Sequence, residues 1–300
     1  MAERPLQGRI GARARVDYLV RPLRDANELR ATMAPHRSYA AYAIGQLQRE
    51  LFARSEWFVS RGAAGEALLL HSHGGLGNAL FTLGSTDAVE PLLRLHPGPR
   101  HTFLTCQVHH LETVLRHYRL SERQSMARLL VDRAAFRAVE GQAVRLRGRN
   151  VHELNRLYRT DGTLAYYTAD NIDDAIYYGT YEDGRLVAAA GTHVVSRDDG
   201  IAVIGNVFTH PAYRNRGRAA LVTSAVTRDL LASCREVVLS VDPRNVPAVR
   251  AYERLGYRED GRLIEGAAVR RDAGAAAFAR RLVAGMRGRR YGAELVSLRA

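Results

Sequence analysis

Two strand-like segments near the end of the chain, joined by a helix-like segment, constrain the fold more than any other feature. Residues 201–208 are mostly apolar and β-branched and predict a buried strand, and residues 236–241 predict a second one. Between them, Val222, Val226 and Leu230 recur with the period of one face of an α-helix. A strand, a crossover helix and a second strand are typical of an α/β fold in which the two strands run parallel.

The turn that precedes this helix has the composition of an anion-binding site. Its residues are Arg214, Asn215, Arg216, Gly217, Arg218 and Ala219. Because Gly217 and Ala219 are small, a ligand can approach their backbone N–H groups closely. The first turn of a helix also has unpaired N–H donors and a partial positive charge. The segment therefore predicts an anion site, and the alternative interpretation is a basic, exposed helix start without a ligand.

A second short helix is predicted after residues 242–245, and it carries a tyrosine on the same face as a small residue. Asn245 lies at the predicted N-cap, and Gly256 ends the helix as its C-terminal glycine. Ala248 and Tyr252 are four residues apart, so they share a face, and Ala248 is small enough to admit a ligand beside the phenol. The Tyr252 hydroxyl can then give its proton to a leaving thiolate. The alternative interpretation is an ordinary core aromatic.

Together, these two motifs resemble the signature of the GNAT acyltransferases, which transfer an acyl group from coenzyme A to an amine; the resemblance covers residues 142–271. It implies an α/β (α+β) fold: a mixed twisted sheet with splayed central parallel strands and helices on both faces. It also implies that main-chain amides of residues 214–219 bind the coenzyme A pyrophosphate. The backbone of the preceding strand holds the pantetheine arm, nearest the turn at Val207, Phe208 and Thr209. By the same resemblance, Asn245 and Ala248 line the coenzyme site and Tyr252 is the general acid.

The segment of residues 178–191 resembles the central hairpin of that family, with its turn at residues 182–184. Together with residues 191–193 and 205–207, this hairpin is most similar to the glycine N-acyltransferase-like branch, whose members have two domains.

The position of the usual general base is the one clear departure from the family pattern. Many members carry a glutamate where this chain has Val203. His193 on the neighbouring predicted strand is the candidate base, because imidazole titrates near neutral pH. The alternative for His193 is a purely structural role. Two further routes remain open: a water ordered by Asn206, or a carboxylate from the loop that carries Asp170, Asp173 and Asp174.

The first half of the chain has a predicted order of elements like that of the second half. The predicted elements are a helix over 26–52, strands over 57–60, 66–71 and 79–83, a helix over 86–95, a strand over 101–105, a helix over 108–118 and a strand over 124–131. The order resembles a degenerate GNAT-like repeat. This half has no Arg-x-x-Gly-x-Ala turn, and residues 74–78 are predicted to form a hairpin loop. We therefore expect it to shape the acceptor pocket or an interface and not to bind coenzyme A.

Four segments are predicted along the chain. They are a basic flexible N-terminus (1–20), a degenerate GNAT-like N-terminal domain (21–141), the catalytic GNAT domain (142–271) and a C-terminal Arg-rich helix (272–300). The last is expected to pack on the domain or to form a homodimer contact, and a surface for an anionic partner is the alternative.

The charge of the chain is carried by an unusual set of residues. The net charge is +13, and all 44 basic residues are arginine. A sequence without lysine excludes a Walker-type phosphate loop, Schiff-base chemistry and self-acylation on lysine. The positive charge favours acidic partners such as coenzyme A or an anionic acceptor. The arginines are scattered and accompany no stacking-aromatic motif, so nucleic acid is not expected as a partner.

Cysteine, histidine and apolar content bear on location and on metals. Two cysteines are too few for a disulfide framework, which favours a reducing, cytoplasmic location. No apolar run approaches the ~18 residues of a membrane span, and residues 1–15 lack the apolar region of a secretory signal. No metal is expected, because neither of two histidine groups has the second ligand pair of a structural zinc site. These groups are His71 with His73, and Cys106 with His109 and His110.

The leading functional hypothesis is an acyl-CoA-dependent N-acyltransferase. It transfers an acyl group, acetyl in the first instance, from acetyl-CoA or another acyl-CoA to the primary amine of a small molecule or amino acid. The amine attacks directly, and no covalent enzyme intermediate is required. One alternative is an acetyltransferase that acts on protein N-termini or lysines. Another is a non-catalytic acyl-CoA-binding sensor, which Val203 favours and Tyr252 opposes.

Overall fold

A computed structural model describes residues 15–74, 77–162, 166–271 and 292–299, together with residues 274, 275, 278, 279, 282, 283 and 286. The strands are β1 (Arg15–Pro22), β2 (Ser55–Gly62), β3 (Gly65–Gly74), β4 (Gly77–Gly84), β5 (His101–Gln107), β6 (Tyr118–Leu120), β7 (Gln124–Asp132), β8 (Val144–Leu146), β9 (Tyr177–Glu182), β10 (Arg185–Ser196), β11 (Ile201–Thr209), β12 (Glu236–Val241), β13 (Arg258–Arg270) and β14 (Glu294–Arg299). The helices are α1 (Ala26–Met33), α2 (Ala41–Gly45), α3 (Arg49–Phe52), α4 (Thr86–Leu95), α5 (Leu111–His117), α6 (Val151–Tyr158), α7 (Ala169–Asp173), α8 (Arg218–Leu231) and α9 (Val246–Arg254).

All the strands of the described residues belong to one sheet. Its order is β14-β1-β2-β3-β4-β5-β13-β7-β12-β11-β10-β9-β8, and β6 pairs with β13 beside this path. Two neighbouring pairs are parallel, β4 with β5 and β11 with β12, and each pair is joined by a helix, α4 and α8 respectively. The predicted mixed sheet with central parallel strands is confirmed. The two halves of the chain thus repeat the same local order.

The halves exchange strands at the centre of the sheet. The strand β7, which ends the first half, pairs with β12 of the second half. The strand β13, which follows α9, pairs in turn with β5 of the first half and with β7. Each half is therefore completed by a strand from the other, and the predicted division at residues 141/142 separates two halves that share their central strands.

Helices cover both faces of the sheet. We call front face the one covered by α1–α3, α6 and α7, and back face the one covered by α4, α5, α8 and α9. On the front face, Ile44 of α2 packs in one apolar cluster with Val203 of β11 and Val238 of β12. On the back face, Val222 and Val226 of α8 pack against the neighbouring residues of the same strands. The alternation of side chains along β11 and β12 produces this division.

Several predicted elements differ from the structure. The predicted helix over 26–52 is divided into α1, α2 and α3, because a 3₁₀ turn with a proline at its start follows α1. Within the predicted flexible N-terminus, residues 15–20 belong to β1. Within the predicted C-terminal helix, the described residues between 275 and 286 are helical, but residues 294–299 form β14, which pairs with β1. Residue 274 is described and is not helical, and the remaining residues of 272–291 lie outside the described residues.

No helix in the described part of the chain combines the length and the apolar character needed to span a bilayer.

Candidate active site

The parallel strands β11 and β12 separate half-way along their length. They pair from Ile201 with Glu236 to Ile204 with Leu239, and no further. Beyond this point β11 stays paired with β10 as far as Thr209, and β12 stays paired with β7 as far as Val241. A wedge therefore opens between the two strands, and the backbone groups that line it have no strand partner there. The predicted splay of the central strands is confirmed.

A β-bulge bends β11 at the start of the wedge. Asn206 has a positive φ of 55° and lies where the register between β10 and β11 shifts by one residue. Its side-chain amide donates a hydrogen bond of 2.9 Å to the Tyr177 hydroxyl, and its carbonyl accepts one from Tyr158. These bonds hold the strained residue in place, and the bulge turns the end of β11 away from β12.

The turn between β11 and α8 presents a row of unused N–H groups. Asn215 and Gly217 have positive φ angles of 61° and 73°. Gly217 is the N-cap of α8, and the first hydrogen bond of the helix runs from Leu221 N–H to Gly217 carbonyl at 3.0 Å. Across the described chain, the N–H groups of residues 215–220 have no acceptor. Six consecutive donors at a helix start form a backbone site for an anion such as a pyrophosphate.

The three arginines of this turn differ in their surroundings. Arg218 forms an ion pair with Glu182 at 2.5 Å, and Arg216 lies 3.8 Å from the same carboxylate. Arg214 donates a hydrogen bond of 3.3 Å to the Thr209 carbonyl, and its guanidinium lies 5.9 Å from the Phe208 ring. Glu182 thus offsets part of the charge around the N–H groups. Sequence analysis placed it only in a hairpin turn and missed this contact.

The predicted pantetheine residues occupy the free end of β11. Val207 packs on the back face in the cluster that contains Tyr252. Phe208 points to the front face, where its ring lies 5.6 Å from that of Tyr158. The Thr209 hydroxyl is buried and has no hydrogen-bond partner among the described residues. These three residues therefore line both sides of the strand edge that faces the wedge.

The helix α9 holds Tyr252 between two caps that the sequence predicted. The Asn245 side chain accepts a hydrogen bond of 3.3 Å from Ala248 N–H. At the other end, Gly256 has a φ of 91°, and the next N–H bonds back to the Tyr252 carbonyl at 3.1 Å. This pattern is a Schellman motif, which stops the helix after two and a half turns.

The Tyr252 phenol is buried, protonated and unengaged. Its side chain is 6% exposed, and burial raises its pKa to about 12. Its ring meets that of Tyr257 edge to face at 6.1 Å, whereas the Tyr257 hydroxyl is bonded to Thr227 at 2.8 Å. Within the described ranges, the Tyr252 hydroxyl makes no hydrogen bond. It is therefore free to donate one to a ligand in the wedge.

His193 lies on the front face above the start of the wedge. A register shift in β10 falls at this residue, and its ring covers Gly205, the first residue of β11 beyond the parallel pairing. The side chain is exposed to solvent, yet surrounding protein and the charge of Arg128 lower its pKa. Both facts hold for a side chain that protein surrounds on most sides and that solvent still reaches. The imidazole is therefore neutral at neutral pH, the form that accepts a proton.

Of the other predicted routes for the proton, Asn206 and Asp173 are engaged in structural contacts in the described part of the chain, and Asp170 and Asp174 are not. Val203 is 5% exposed and lies beneath α2, so apolar packing occupies the position of the family's usual base. Asp173 accepts a hydrogen bond of 2.9 Å from Gly148 N–H. Asn206 is held by the two tyrosines described above. Asp170 and Asp174 are exposed at the ends of α7.

Arg128 lies beside the wedge, and sequence analysis did not single it out. It lies on β7 directly opposite Ser240 of β12, and it is 4% exposed. In the described structure it forms no hydrogen bond and no ion pair, and its Nε atom is buried without a partner. The signal in the sequence is a charged residue inside the apolar run 126–131. A charged residue at this position points to the wedge only once β12 is known to pair with β7, and local sequence patterns do not reveal that pairing.

The histidine and cysteine groups of the first half do not form a metal site in the described residues. His71 donates to the His96 carbonyl at 2.7 Å, and His110 is held between Thr82 and Gly84.

Comparison with known proteins extends this description. Residues 148–257 match the model of the Acetyltransferase (GNAT) family. The fold is similar to that of a GCN5-related N-acetyltransferase from Kribbella flavida, with a TM-score of 0.56 and 17% identity over 80% of this chain and 97% of that chain. It is also similar to a GCN5-related N-acetyltransferase from Sphaerobacter thermophilus, with a TM-score of 0.51 and 15% identity over 84% of this chain and 95% of that one. A search of curated proteins finds no match.

Proposed function

We propose that this chain, whose residues 148–257 match the model of the Acetyltransferase (GNAT) family, transfers an acetyl group from acetyl-CoA to the primary amine of a small molecule. The observation that carries the proposal is the wedge between β11 and β12, which begins at Gly205 and lies beside the six free N–H groups of residues 215–220. A long thioester with an anionic tail matches an open strand edge that ends at an anion site.

Acetyl-CoA binds in this proposal with its pyrophosphate on the N–H groups of residues 215–220. Arg214, Arg216 and Arg218 add positive charge there. The pantetheine arm runs along the free edge of β11 at residues 207–209, where its amides replace the missing strand partner. The small side chain of Ala248 leaves room for the arm beside α9, and Asn245 fixes the start of that helix.

The chemistry needs an acid, a base and an oxyanion donor, and each has a candidate at the wedge. His193 takes a proton from the incoming ammonium, and the neutral amine attacks the thioester carbonyl to form the new C–N bond. A backbone N–H of β11 near Phe208 or Thr209 stabilises the tetrahedral oxyanion. The C–S bond then breaks, and the thiolate takes a proton from Tyr252, whose pKa of about 12 keeps it protonated until that step. The new amide nitrogen still carries an extra proton, and this proton passes to the Tyr252 phenolate, so that the amide and the phenol are both neutral at the end.

The covering of the front face beside the wedge favours a small acceptor over a protein segment. Both α2 of the first half and α6 of the second half pack on β10 and β11. A methyl group on Gly45 of α2 would lie 2.0 Å from Val194 of β10. His193 on the same face has protein around it even though water reaches its side chain. An extended peptide needs an open channel, whereas a small amine does not.

The test begins with calorimetric titration of CoASH, followed by thiol release from acetyl-CoA with a panel of primary amines. We expect binding, turnover with a subset of amines, and a loss of kcat of at least about 10-fold in Tyr252→Phe, the usual scale for a general acid. Tyr257→Phe is the matched control, because its hydroxyl is bonded to Thr227 and is not available to a thiolate. No heat with CoASH would overturn the proposal, and binding without turnover of any amine would favour the sensor.

A further inference from the structure

Arg128 and His193 lie on opposite sides of the wedge, on the same face of the sheet. Val203 and Val238 are paired across β11 and β12 and both belong to the front-face cluster. Two residues further along each strand, Gly205 and Ser240 therefore also face front. His193 covers Gly205.

Arg128 is paired with Ser240, and residues paired across antiparallel strands share a face. Leu130, two residues away on β7, confirms the assignment because it lies in the front-face cluster. Arg128 and His193 thus flank the point at which the strands part. The lowering of the His193 pKa by the charge of Arg128 is consistent with this proximity.

The guanidinium of Arg128 lacks the partner that a buried cation requires. Its residue is 96% removed from solvent, and among the described residues it neither donates a hydrogen bond nor lies within ion-pair distance of a carboxylate. Burying an unpaired charge is costly, so a buried arginine is ordinarily paired. Glu265 on β13 is the carboxylate whose charge acts on Arg128: burial raises the pKa of Glu265, and the charge of Arg128 lowers it. Among the described residues the two side chains form neither a hydrogen bond nor an ion pair, so the interaction acts over a longer distance.

The co-substrate does not supply the missing anion. In the proposed binding mode the phosphates of coenzyme A lie at the start of α8, which covers the back face. The acetyl thioester that reaches Gly205 is neutral. The remaining ligand is the acceptor, whose amine must approach the thioester from the front face, where His193 and Arg128 lie.

We propose that Arg128 binds a carboxylate of the acceptor, so that the substrate is an amine that also carries a carboxylate group. The inference rests on the proposed function and adds the chemical class of the acceptor. A guanidinium binds a carboxylate through two parallel N–H···O bonds, which fixes the orientation of the amine toward the thioester. Adjacent strands are about 4.8 Å apart, so β11, β12 and β7 place the amine and carboxylate positions within reach of one short molecule.

The experiment compares pairs of amines that differ only in the carboxylate. Glycine, β-alanine and 4-aminobutyrate are each measured against their primary amides, with initial rates expressed per concentration of neutral amine. For at least one pair we expect kcat/KM to favour the acid by roughly 10–100-fold, the range for a charge-assisted hydrogen bond. In Arg128→Gln this preference should disappear while the KM for acetyl-CoA stays the same. Arg262→Gln is the control, because Arg262 is exposed and paired only with Glu259 in its own strand.

Stability provides a second measurement that separates binding from a structural role. If the role of Arg128 is to bind a ligand, Arg128→Met should raise the melting temperature of the unliganded protein by about 2–4 °C, because the substitution removes an unpaired buried charge. A lower melting temperature would show that Arg128 supports the fold and would overturn the inference. So would equal rates for acids and amides in a protein that binds CoASH and turns over. Failure to bind CoASH would instead overturn the proposed function, and this inference with it.

Discussion

The ring of His193 lies so close over Gly205 that a methyl group added at residue 205 would come within 1.8 Å of Nε2. Glycine is required here for close approach and not for its backbone angles, because its φ lies outside the left-handed region. The imidazole therefore occupies the space that a side chain would otherwise fill at the start of the wedge.

Gly205→Ala should displace His193 and lower kcat about as much as His193→Ala does, by roughly 10²-fold for loss of a general base. Affinity for CoASH should change little, because the imidazole faces the acceptor side. Rates and CoASH dissociation constants of both single variants and of the double variant form a double-mutant cycle. Additive losses would show that the two residues act separately and would contradict the assignment of His193 as the base.

The activity should fall in acid with the titration of His193. Burial first, and the charge of Arg128 second, lower its pKa below the ordinary value of 6.5. The neutral, proton-accepting form thus persists below pH 6.5, and the acidic limb of kcat/KM, corrected for neutral amine, should lie below that value. Arg128→Gln removes one of the two causes, so the limb should move upward toward 6.5. A limb that stays in place in Arg128→Gln would show that another group governs it.

Glu182 should weaken the binding of coenzyme A. Its carboxylate lies 2.5 Å from Arg218 and 3.8 Å from Arg216, beside the free N–H groups of the turn. Glu182→Gln should lower the dissociation constant of CoASH by roughly 2–10-fold at low ionic strength, and added salt should reduce the difference. Asp183→Asn is the matched control, since it removes the same charge from the next residue, and asparagine tolerates its φ of 50°. Weaker binding in Glu182→Gln would mean that the carboxylate is needed to position Arg218.

Acid should destabilise the first half of the sheet through two buried histidines, His71 and His110, and one half-buried histidine, His96. Burial lowers the pKa values of His71, His96 and His110 to about 4 each. The unfolded chain binds protons near pH 6.5, so between pH 6.5 and 4 it takes up more protons than the folded chain does. The stability contributed by each neutral ring is present above pH 6.5 and is lost as the pH falls to about 4.

The expected loss is roughly 1–3 kcal/mol per histidine, and it can be followed by chemical denaturation at pH 7, 5.5 and 4. His110→Gln should flatten the pH dependence, because both ring nitrogens of His110 are engaged, by Thr82 at 3.0 Å and Gly84 at 2.9 Å. His73→Gln serves as the control, since His73 is exposed. A pH profile that His110→Gln leaves unchanged would assign the acid sensitivity to other groups.

Local signals predicted the parts of the site that local structure builds. The spacing of apolar residues predicted α8. Asn245 and Gly256 predicted the two ends of α9, because helix caps act through hydrogen bonds between residues a few positions apart. The same holds for the turn at residues 182–184, where Asp183 and Gly184 both have positive φ. The sequence also showed that Val203 stands where the family's usual base is expected. Only the fold shows that α2 covers this position.

Pairing between strands that are distant in sequence could not be predicted from local patterns. The position of Arg128 beside the wedge follows from its pairing with Ser240, more than a hundred residues along the chain, and no local period encodes that contact. For the same reason, sequence analysis did not predict the exchange of β7 and β13 or the pairing of β14 with β1. Residues 294–298 alternate in burial, yet the alternation spans one short strand after an Arg-rich stretch.

The exchange of β7 and β13 also determines when the sheet can be completed while the chain is being synthesised. As the polypeptide leaves the ribosome, β5 lacks its neighbour β13 until residues 258–270 have been translated, so the first half cannot complete its part of the sheet before most of the second half has been made. Such long-range pairing slows folding and exposes open strand edges in the meantime. A gene that encodes either half alone would therefore produce a protein whose sheet lacks one of its central strands.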